Sequence, residues 1–182
     1  LTTSKTYRVT CNGVNEKSST QVSSEVKVKV TPTATCSVSP TSVAVGSSVT
    51  WKTDSVNGGN GTYAYSWTGD EGLSGTTQNV SKPYTSAGGK NGTVTVTSDG
   101  ITATCSPVSG NDITIYSTLA VSCSASPSAT TVNNDVTWSA TPSGGKTPYI
   151  YSWSNGVTGS AASVIKSYTT TGTKTGTVEV TS

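Results

Sequence analysis

The sequence predicts an all-β protein built from consecutive, self-similar domains of β-sandwich size. Three observations lead to this prediction. Aliphatic residues, mostly Val, alternate with Thr, Ser or Lys in EVKVKV (25–30), GTVTVTS (92–98) and GTVEVTS (176–182), which is the two-residue period of a half-buried strand. No window shows the i, i+3, i+4 spacing of an amphipathic helix. In addition, the chain repeats itself with a period typical of a sandwich domain.

The repeat relates EVKVKVTPTATCSVSP, which ends at Pro40, to DITIYSTLAVSCSASP, which ends at Pro127, an offset of 87 residues. Later in the unit the offset shortens to 84 residues, because Val94 corresponds to Val178. We assign the missing residues to loops, where changes of length are tolerated.

In chain order, the repeat divides the sequence into three parts. Residues 1–31 are the last two strands of a partial domain, residues 32–117 form a complete domain, and residues 118–182 form a domain that lacks its last strand. The linkers VTPT (30–33) and YSTL (116–119) are so short that we expect a fairly stiff array. Since the chain opens without Met in the middle of a strand pattern, we interpret it as a processed product or as part of something longer.

Composition disfavours several classes of function. The 11 basic and 9 acidic residues are scattered, so no basic stripe is available for nucleic acid, and no apolar run is long enough for a membrane span. The chain has no His, no G-x-S-x-G motif and no matched carboxylate pair, so we expect neither an enzyme nor a cofactor. Asp70 and Glu71, in GDEG, would supply only part of a Ca²⁺ site, and we favour a solvated turn.

A Tyr-x-Tyr-x-Trp run occurs twice, in GTYAYSWTG (61–69) and TPYIYSWSN (147–155), and on a strand its aromatic residues share one face. Because the chain has no Phe or Met, we predict that aromatic side chains fill the interior. The alternative is an exposed sugar-binding platform, for which the loop-end residues Tyr63 and Tyr149 are the candidates. The predicted core aromatics are Trp51, Tyr65, Trp67, Tyr84, Trp138, Tyr151, Trp153 and Tyr168.

Residues 122–156 and YTSAGGKNGTVTVTS (84–98) resemble the PKD-like and bacterial Ig-like modules that recur in tandem in surface proteins. Such modules share a Trp on strand B, an aromatic-Ser-Trp on strand C and a Y-T-x-x-G before strand F. Where PKD domains carry W-x-F-G-D-G, this chain has WTGDEG (67–72) and WSNGVTG (153–159), which favours an Ig-like sandwich. TSKTYRVTCNG, within residues 1–31, resembles a second bacterial Ig-like type with its Cys on strand F.

The resemblance implies a disulfide, because the first and last strands of an Ig-like unit can be neighbours. Cys36 and Cys105 lie on those strands of the complete domain, whereas Cys11 and Cys123 would need partners outside this sequence. The alternatives are four unrelated buried thiols or, less favoured without His or CxxC, a metal site. A disulfide framework of this kind indicates an extracellular location.

These observations lead us to expect a structural protein at a cell surface, a segment of a tandem Ig-like array that forms a stalk, an adhesin shaft or a filament. Its partners would be neighbouring copies or further domains of the same chain, with surface glycans or partner cells as further candidates. Two alternatives stay open: a filament subunit that polymerises by β-strand donation, and a carbohydrate-binding module. Asn60, Asn79 and Asn91 lie in N-x-S/T sequons and are glycan acceptors only if the source modifies such sites.

Overall fold

A computed structural model describes residues 5–11, 22–107 and 113–182 of the chain. The described residues form antiparallel sheets and no α-helix, which confirms the all-β prediction, and the arrangement is consistent with a β-sandwich. One 3-10 turn, Asp70–Gly72, interrupts the strands of this part. Within the same residues, no helix is long and apolar enough to cross a membrane.

The chain divides into two compact units, Leu1–Ile115 and Tyr116–Ser182, which we call unit 1 and unit 2. The division falls next to the predicted boundary between residues 117 and 118. The strands up to this boundary are β1 (Lys5–Cys11), β2 (Val22–Val28), β3 (Thr33–Ser39), β4 (Ser42–Ala44), β5 (Ser48–Asn57), β6 (Ala64–Gly69), β7 (Leu73–Gly75), β8 (Asn79–Pro83), β9 (Gly88–Lys90), β10 (Gly92–Ser98), β11 (Ile101–Cys105) and β12 (Ile113–Tyr116). The strands after it are β13 (Ala120–Ser126), β14 (Asp135–Ser143), β15 (Ile150–Ser154), β16 (Ser163–Ser167) and β17 (Thr177–Thr181).

The described residues of unit 1 form a two-stranded sheet and three larger sheets. The larger sheets have the orders β3-β5-β8, β11-β10-β6-β7 and β4-β12-β9, and their apolar faces meet in one core. The β1–β2 pair forms the two-stranded sheet and is fastened to the rest of unit 1 by Lys27 and Lys29, whose ammonium groups contact Asp99 at 2.7 Å. The hydrogen bond from Lys27 lowers the pKa of Asp99 below its usual value.

Strand β10 shows why the alternating sequence becomes a half-buried strand. Val94, Val96 and Ser98 point into the core and are buried, while the intervening Thr residues are partly exposed. β10 lies between β6 and β11, so both of its edges are paired. Only one face of β10 therefore packs against the apolar core, as expected for a strand of an antiparallel sheet.

Unit 2 contains a three-stranded sheet, β13-β14-β16, and a two-stranded sheet, β15-β17. Its strand pairs repeat those of unit 1: Val38 lies opposite Trp51 in β3–β5, and Ala125 lies opposite Trp138 in β13–β14. Its buried cluster consists of Ala140, Trp153 and Val157. The repeat read from the sequence is therefore a structural repeat, and below we call residues at the same place in the two units counterparts.

Candidate functional site: the bridged core and the groove of unit 2

A disulfide joins Cys36 on β3 to Cys105 on β11, with the two Cα atoms 6.1 Å apart. These strands belong to different sheets, so the bridge connects the sheet β3-β5-β8 to the sheet β11-β10-β6-β7. It closes a loop of 69 residues, which stabilises the fold by about 4 kcal/mol in the chain-entropy description. The covalent link predicted from the Ig-like resemblance is thus present. Contrary to the prediction, Cys105 is not on the last strand of residues 32–117, because β12 follows β11 and pairs with β4 and β9 in a separate sheet.

The other two cysteines differ from this pair. Cys123, the counterpart of Cys36, is exposed on β13 and forms no disulfide with any residue that the structure describes. Cys11 ends strand β1, and its side chain lies outside the described part of the chain. The prediction that both have partners elsewhere stays a prediction.

In unit 1, the predicted core aromatics form a packed and hydrogen-bonded interior. Trp51 and Trp67 are 0% and 1% exposed, and their ring centroids lie 6.4 Å apart at an angle of 58°. Trp51 Nε1 donates to the Tyr84 hydroxyl at 3.1 Å, and Trp67 Nε1 donates to the Thr77 carbonyl at 3.0 Å. Tyr65 is half buried and packs against the same cluster. Each indole N–H is satisfied, as a buried polar group requires.

In unit 2, the corresponding aromatics are less enclosed. Trp153 is 5% exposed and donates from Nε1 to the Ala161 carbonyl at 2.9 Å. This bond corresponds to the bond from Trp67 to the Thr77 carbonyl in unit 1. Trp138 and Tyr151 are half buried beside this residue. Tyr168 is also half buried and lies under the ammonium group of Lys174, which is 5.5 Å from the ring centroid.

The loop-end residues Tyr63 and Tyr149, which the sequence analysis named as candidates for an exposed platform, are half buried. Each forms a hydrogen bond with a glycine-rich loop. The hydroxyl of Tyr63 donates to the Gly58 carbonyl at 2.7 Å, and that of Tyr149 donates to the Gly144 carbonyl at 2.5 Å. Both glycines have positive φ angles and leave no space for a side chain: a Cβ on Gly58 would lie 2.5 Å from the Thr31 carbonyl oxygen. This loop therefore rests on the residues just before β3 in unit 1 and on those just before β13 in unit 2.

Sequence reasoning missed this contact, although a signal was present. G-G-x-x-x-Y occurs at residues 58–63 and again at 144–149. A repeated glycine pair at a fixed distance from a Tyr indicates a close backbone approach in both units.

The GDEG turn was predicted to be a solvated turn, but its Glu71 side chain forms specific contacts with a neighbouring turn. The carboxylate of Glu71 accepts hydrogen bonds from the backbone N–H groups of Thr85 and Ser86 at 2.8 and 3.1 Å, and it contacts the ammonium group of Lys90 at 2.9 Å. The hydrogen bond from the Ser86 hydroxyl, followed by those from Thr85 and Lys90, holds the pKa of Glu71 far below its usual value. Among the described residues, no group of three His, Cys, Asp or Glu side chains is placed to hold a metal ion.

A groove of about 760 Å³ opens on unit 2. Its sides are residues 127–132 and 170–174, and Val136, Trp138 and Tyr168 line it between them. The counterparts of these two segments include β4 and β9, which in unit 1 pair with either side of β12. Residues 116–182, all of which are described, contain no counterpart of β11 or β12, and the two side segments form no strands.

No protein-family model matches this chain, and no curated protein is significantly similar to it. The fold and the contacts above define a disulfide-containing, all-β protein made of repeated units with aromatic interiors. Asn60, Asn79 and Asn91 are exposed on unit 1.

Proposed function

We propose that this chain is a structural segment of a tandem Ig-like array, which serves as a stalk, shaft or filament on the outside of a cell. The proposal rests on one observation: the same buried Trp hydrogen bond occurs in both units. Trp67 and Trp153, at equivalent places, both bond to the carbonyl of a loop that returns across the sheet. Consecutive units with the same core contacts are typical of tandem repeat arrays, and this repetition supports the structural proposal.

The mechanism follows from where the strong connections lie. The Cys36–Cys105 disulfide covers 69 residues of unit 1, so a pulling force cannot extend this part while the bridge is intact. Tyr63 and Tyr149 brace the loops that pack against the residues just before β3 and β13, which holds these residues to their own unit. Thr and Ser side chains cover the outer faces and keep the array soluble, as in the pair Thr50–Ser81, whose hydroxyl groups lie 2.8 Å apart.

An extracellular location is supported by the disulfide, since such bonds persist in oxidising compartments and are rare in the cytosol. The buried state of Trp51, Trp67 and Trp153 favours the structural function over a carbohydrate-binding module, which needs exposed rings for stacking.

Single-molecule stretching of the whole chain, held at its two ends, tests the proposal. In the oxidised chain, unfolding of unit 1 should leave the 69 bridged residues unextended, whereas the reduced chain should gain about 240 Å of additional length at up to 3.6 Å per residue. The matched control is the double variant Cys36→Ala, Cys105→Ala, which should behave like the reduced chain under both conditions. Equal extensions of the oxidised and reduced wild type would reject the mechanical role of the bridge.

A further inference from the structure

The groove of unit 2 is the place that β12 occupies in unit 1. There, Ile113 and Ile115 are each 1% exposed, and β12 pairs with β4 on one side and with β9 on the other. The register places Ile113 opposite Lys90 and Ile115 opposite Gly88. The groove segments 129–131 and 172–174 are the counterparts of β4 and β9, and they line an open space of about 760 Å³. Unit 1 therefore shows what kind of segment fits this groove: an extended strand with aliphatic side chains two residues apart.

Two polar atoms next to the groove are unsatisfied. In the part of the chain that the structure describes, Trp138 Nε1 and the Tyr168 hydroxyl are buried and have no hydrogen-bond partner. Their counterparts, Trp51 and Tyr84, bond to each other at 3.1 Å beneath the strand that covers them. A buried N–H or O–H without a partner is costly, so a segment that changes the surroundings of these two groups has free energy to gain.

Cys123 is a second, independent indication. In unit 1 its counterpart Cys36 is bonded to Cys105, which precedes Ile113 by eight residues. In unit 2 the Cys123 thiol is exposed. A strand that enters the groove in the manner of β12 would carry the residue eight positions earlier to this thiol.

We propose that unit 2 binds an extended polypeptide strand with β-branched aliphatic residues at positions i and i+2 and a Cys at position i−8, and that this Cys forms a disulfide with Cys123. The strand runs antiparallel to residues 172–174 and inserts its two aliphatic side chains toward Val136 and Trp138. The residue between them faces solvent, as the exposed Thr114 does in β12. Backbone hydrogen bonds to the groove segments provide affinity, and the aliphatic pair and the Cys provide specificity.

The covalent step needs an oxidant, for which a low-molecular-weight disulfide such as oxidised glutathione suffices. The strand's Cys first forms a mixed disulfide with glutathione and releases one glutathione thiol. The Cys123 thiolate then attacks the sulfur of the strand's Cys, the new S–S bond forms, and the second glutathione leaves as a thiolate that takes up the proton. In sum, two protein thiols are oxidised and one glutathione disulfide is reduced.

A second copy of this chain offers a different strand. Val26 and Val28 of β2 are the repeat counterparts of Ile113 and Ile115, and they are 60% and 39% exposed. However, β2 is already paired along its length with β1, and position 18, eight residues before Val26, is Ser. The exposed Cys123 therefore favours a strand of the β11–β12 type over the β2 strand of a second copy.

The bound strand would be part of the proposed array, so this proposal rests on the proposed structural function. Its test uses peptide binding rather than force, so the two can fail separately: a groove that binds no strand leaves the stretching result of unit 1 unchanged.

The experiment uses the whole chain and a synthetic peptide with the sequence of residues 101–117, ITATCSPVSGNDITIYS, in a buffer of reduced and oxidised glutathione. We expect the peptide to change the Trp fluorescence of the protein and to form a disulfide that peptide mapping locates at Cys123. The control peptide with Ile113→Asn and Ile115→Asn should bind at least about tenfold more weakly, because it cannot bury the two aliphatic side chains. A peptide with Cys105→Ser should still change the fluorescence but should be removed by gel filtration.

Three results would overturn the proposal. In the first, no peptide changes the fluorescence. In the second, the Asn control reacts with Cys123 as readily as the parent peptide, which would mean that the thiol is merely accessible. In the third, the protein without peptide is an oligomer that Val26→Asn and Val28→Asn dissociate, which would show that a second copy covers the groove.

Discussion

The indole N–H of Trp51 donates a 3.1 Å hydrogen bond to the hydroxyl of Tyr84, whereas Trp138 and Tyr168, at the same two positions of unit 2, have no such bond among the described residues. The two pairs occupy equivalent positions of the repeat, but their surroundings differ. In unit 1 the pair belongs to the cluster that β12 closes, and in unit 2 it borders the groove. This comparison within one chain provides matched controls for several predictions.

Replacement of Tyr84 by Phe should destabilise unit 1. The substitution removes the acceptor for a fully buried indole N–H, and a buried donor without a partner costs about 1–3 kcal/mol. Urea unfolding of the whole chain measures the change. The matched control is Tyr168→Phe, which removes a hydroxyl that has no hydrogen bond in the described residues and should change the free energy of unfolding little. Equal losses in the two variants would contradict the assigned role of the Trp51–Tyr84 bond.

Reduction of the disulfide should lower the free energy of unfolding of unit 1 by about 4 kcal/mol, because the unfolded chain regains the entropy of a 69-residue loop. Denaturant unfolding with and without reductant measures this difference. Cys123→Ser is the control: it alters an exposed thiol of unit 2 and should leave the effect of reductant intact. If reductant had no effect on the stability of the wild type, the bridge would not stabilise this unit.

Glu71→Gln should destabilise unit 1 at neutral pH, and the difference from wild type should shrink in acid. The folded-state pKa of Glu71 is lowered, chiefly by the Ser86 hydroxyl. Its contribution to stability is therefore complete above the ordinary glutamate pKa of about 4.3 and is lost as the pH falls toward the lower folded-state value. Urea unfolding at a series of pH values between neutrality and acid follows this loss.

The control for this series is Glu179→Gln, which alters an exposed carboxylate on β17. It should change the stability at neutral pH little. A Glu71→Gln variant whose deficit stayed constant from neutral pH into strong acid would show that the carboxylate charge does not stabilise the Thr85–Ser86 turn.

Gly58→Ala should destabilise unit 1 more than Gly61→Ala does. Both glycines have positive φ angles, 81° and 89°, so both variants carry the backbone cost of about 1–2 kcal/mol. Only at Gly58 does the added Cβ meet another atom, the Thr31 carbonyl oxygen at 2.5 Å, because the Cβ on Gly61 would lie in open space. Thermal unfolding of the two variants compares them directly. Similar losses of thermal stability in the two variants would mean that the loop does not rest on Thr31.

Much of the fold follows from local patterns, and the parts that do not are contacts between distant segments. The alternation in GTVTVTS predicts β10 because each residue reports its own face of the sheet. The pairing of Cys36 with Cys105 follows once the order of strands is known from the Ig-like resemblance. By contrast, the hydrogen bonds of Glu71 to Thr85 and Ser86 depend on how two turns meet, and nothing in the local sequence specifies this.

The groove illustrates the same limit. The repeat predicts that residues 127–132 and 170–174 correspond to segments of unit 1, but not that these two segments line a groove. The segments 129–131 and 172–174 are strands only in their unit 1 counterparts, because β12 supplies the hydrogen bonds to both. Whether a segment forms a strand thus depends here on a partner distant in the sequence.

The measurement that tests the central claim most directly is the quenching of Trp fluorescence by iodide in the folded chain. If the aromatic residues are the interior of stacked sheets, Trp51, Trp67 and Trp153 are protected, and the small quenchable fraction belongs to half-buried Trp138 and disappears in Trp138→Phe. Quenching of all four Trp residues in the native chain, as strong as in the unfolded chain, would contradict the account and indicate an exposed aromatic surface instead.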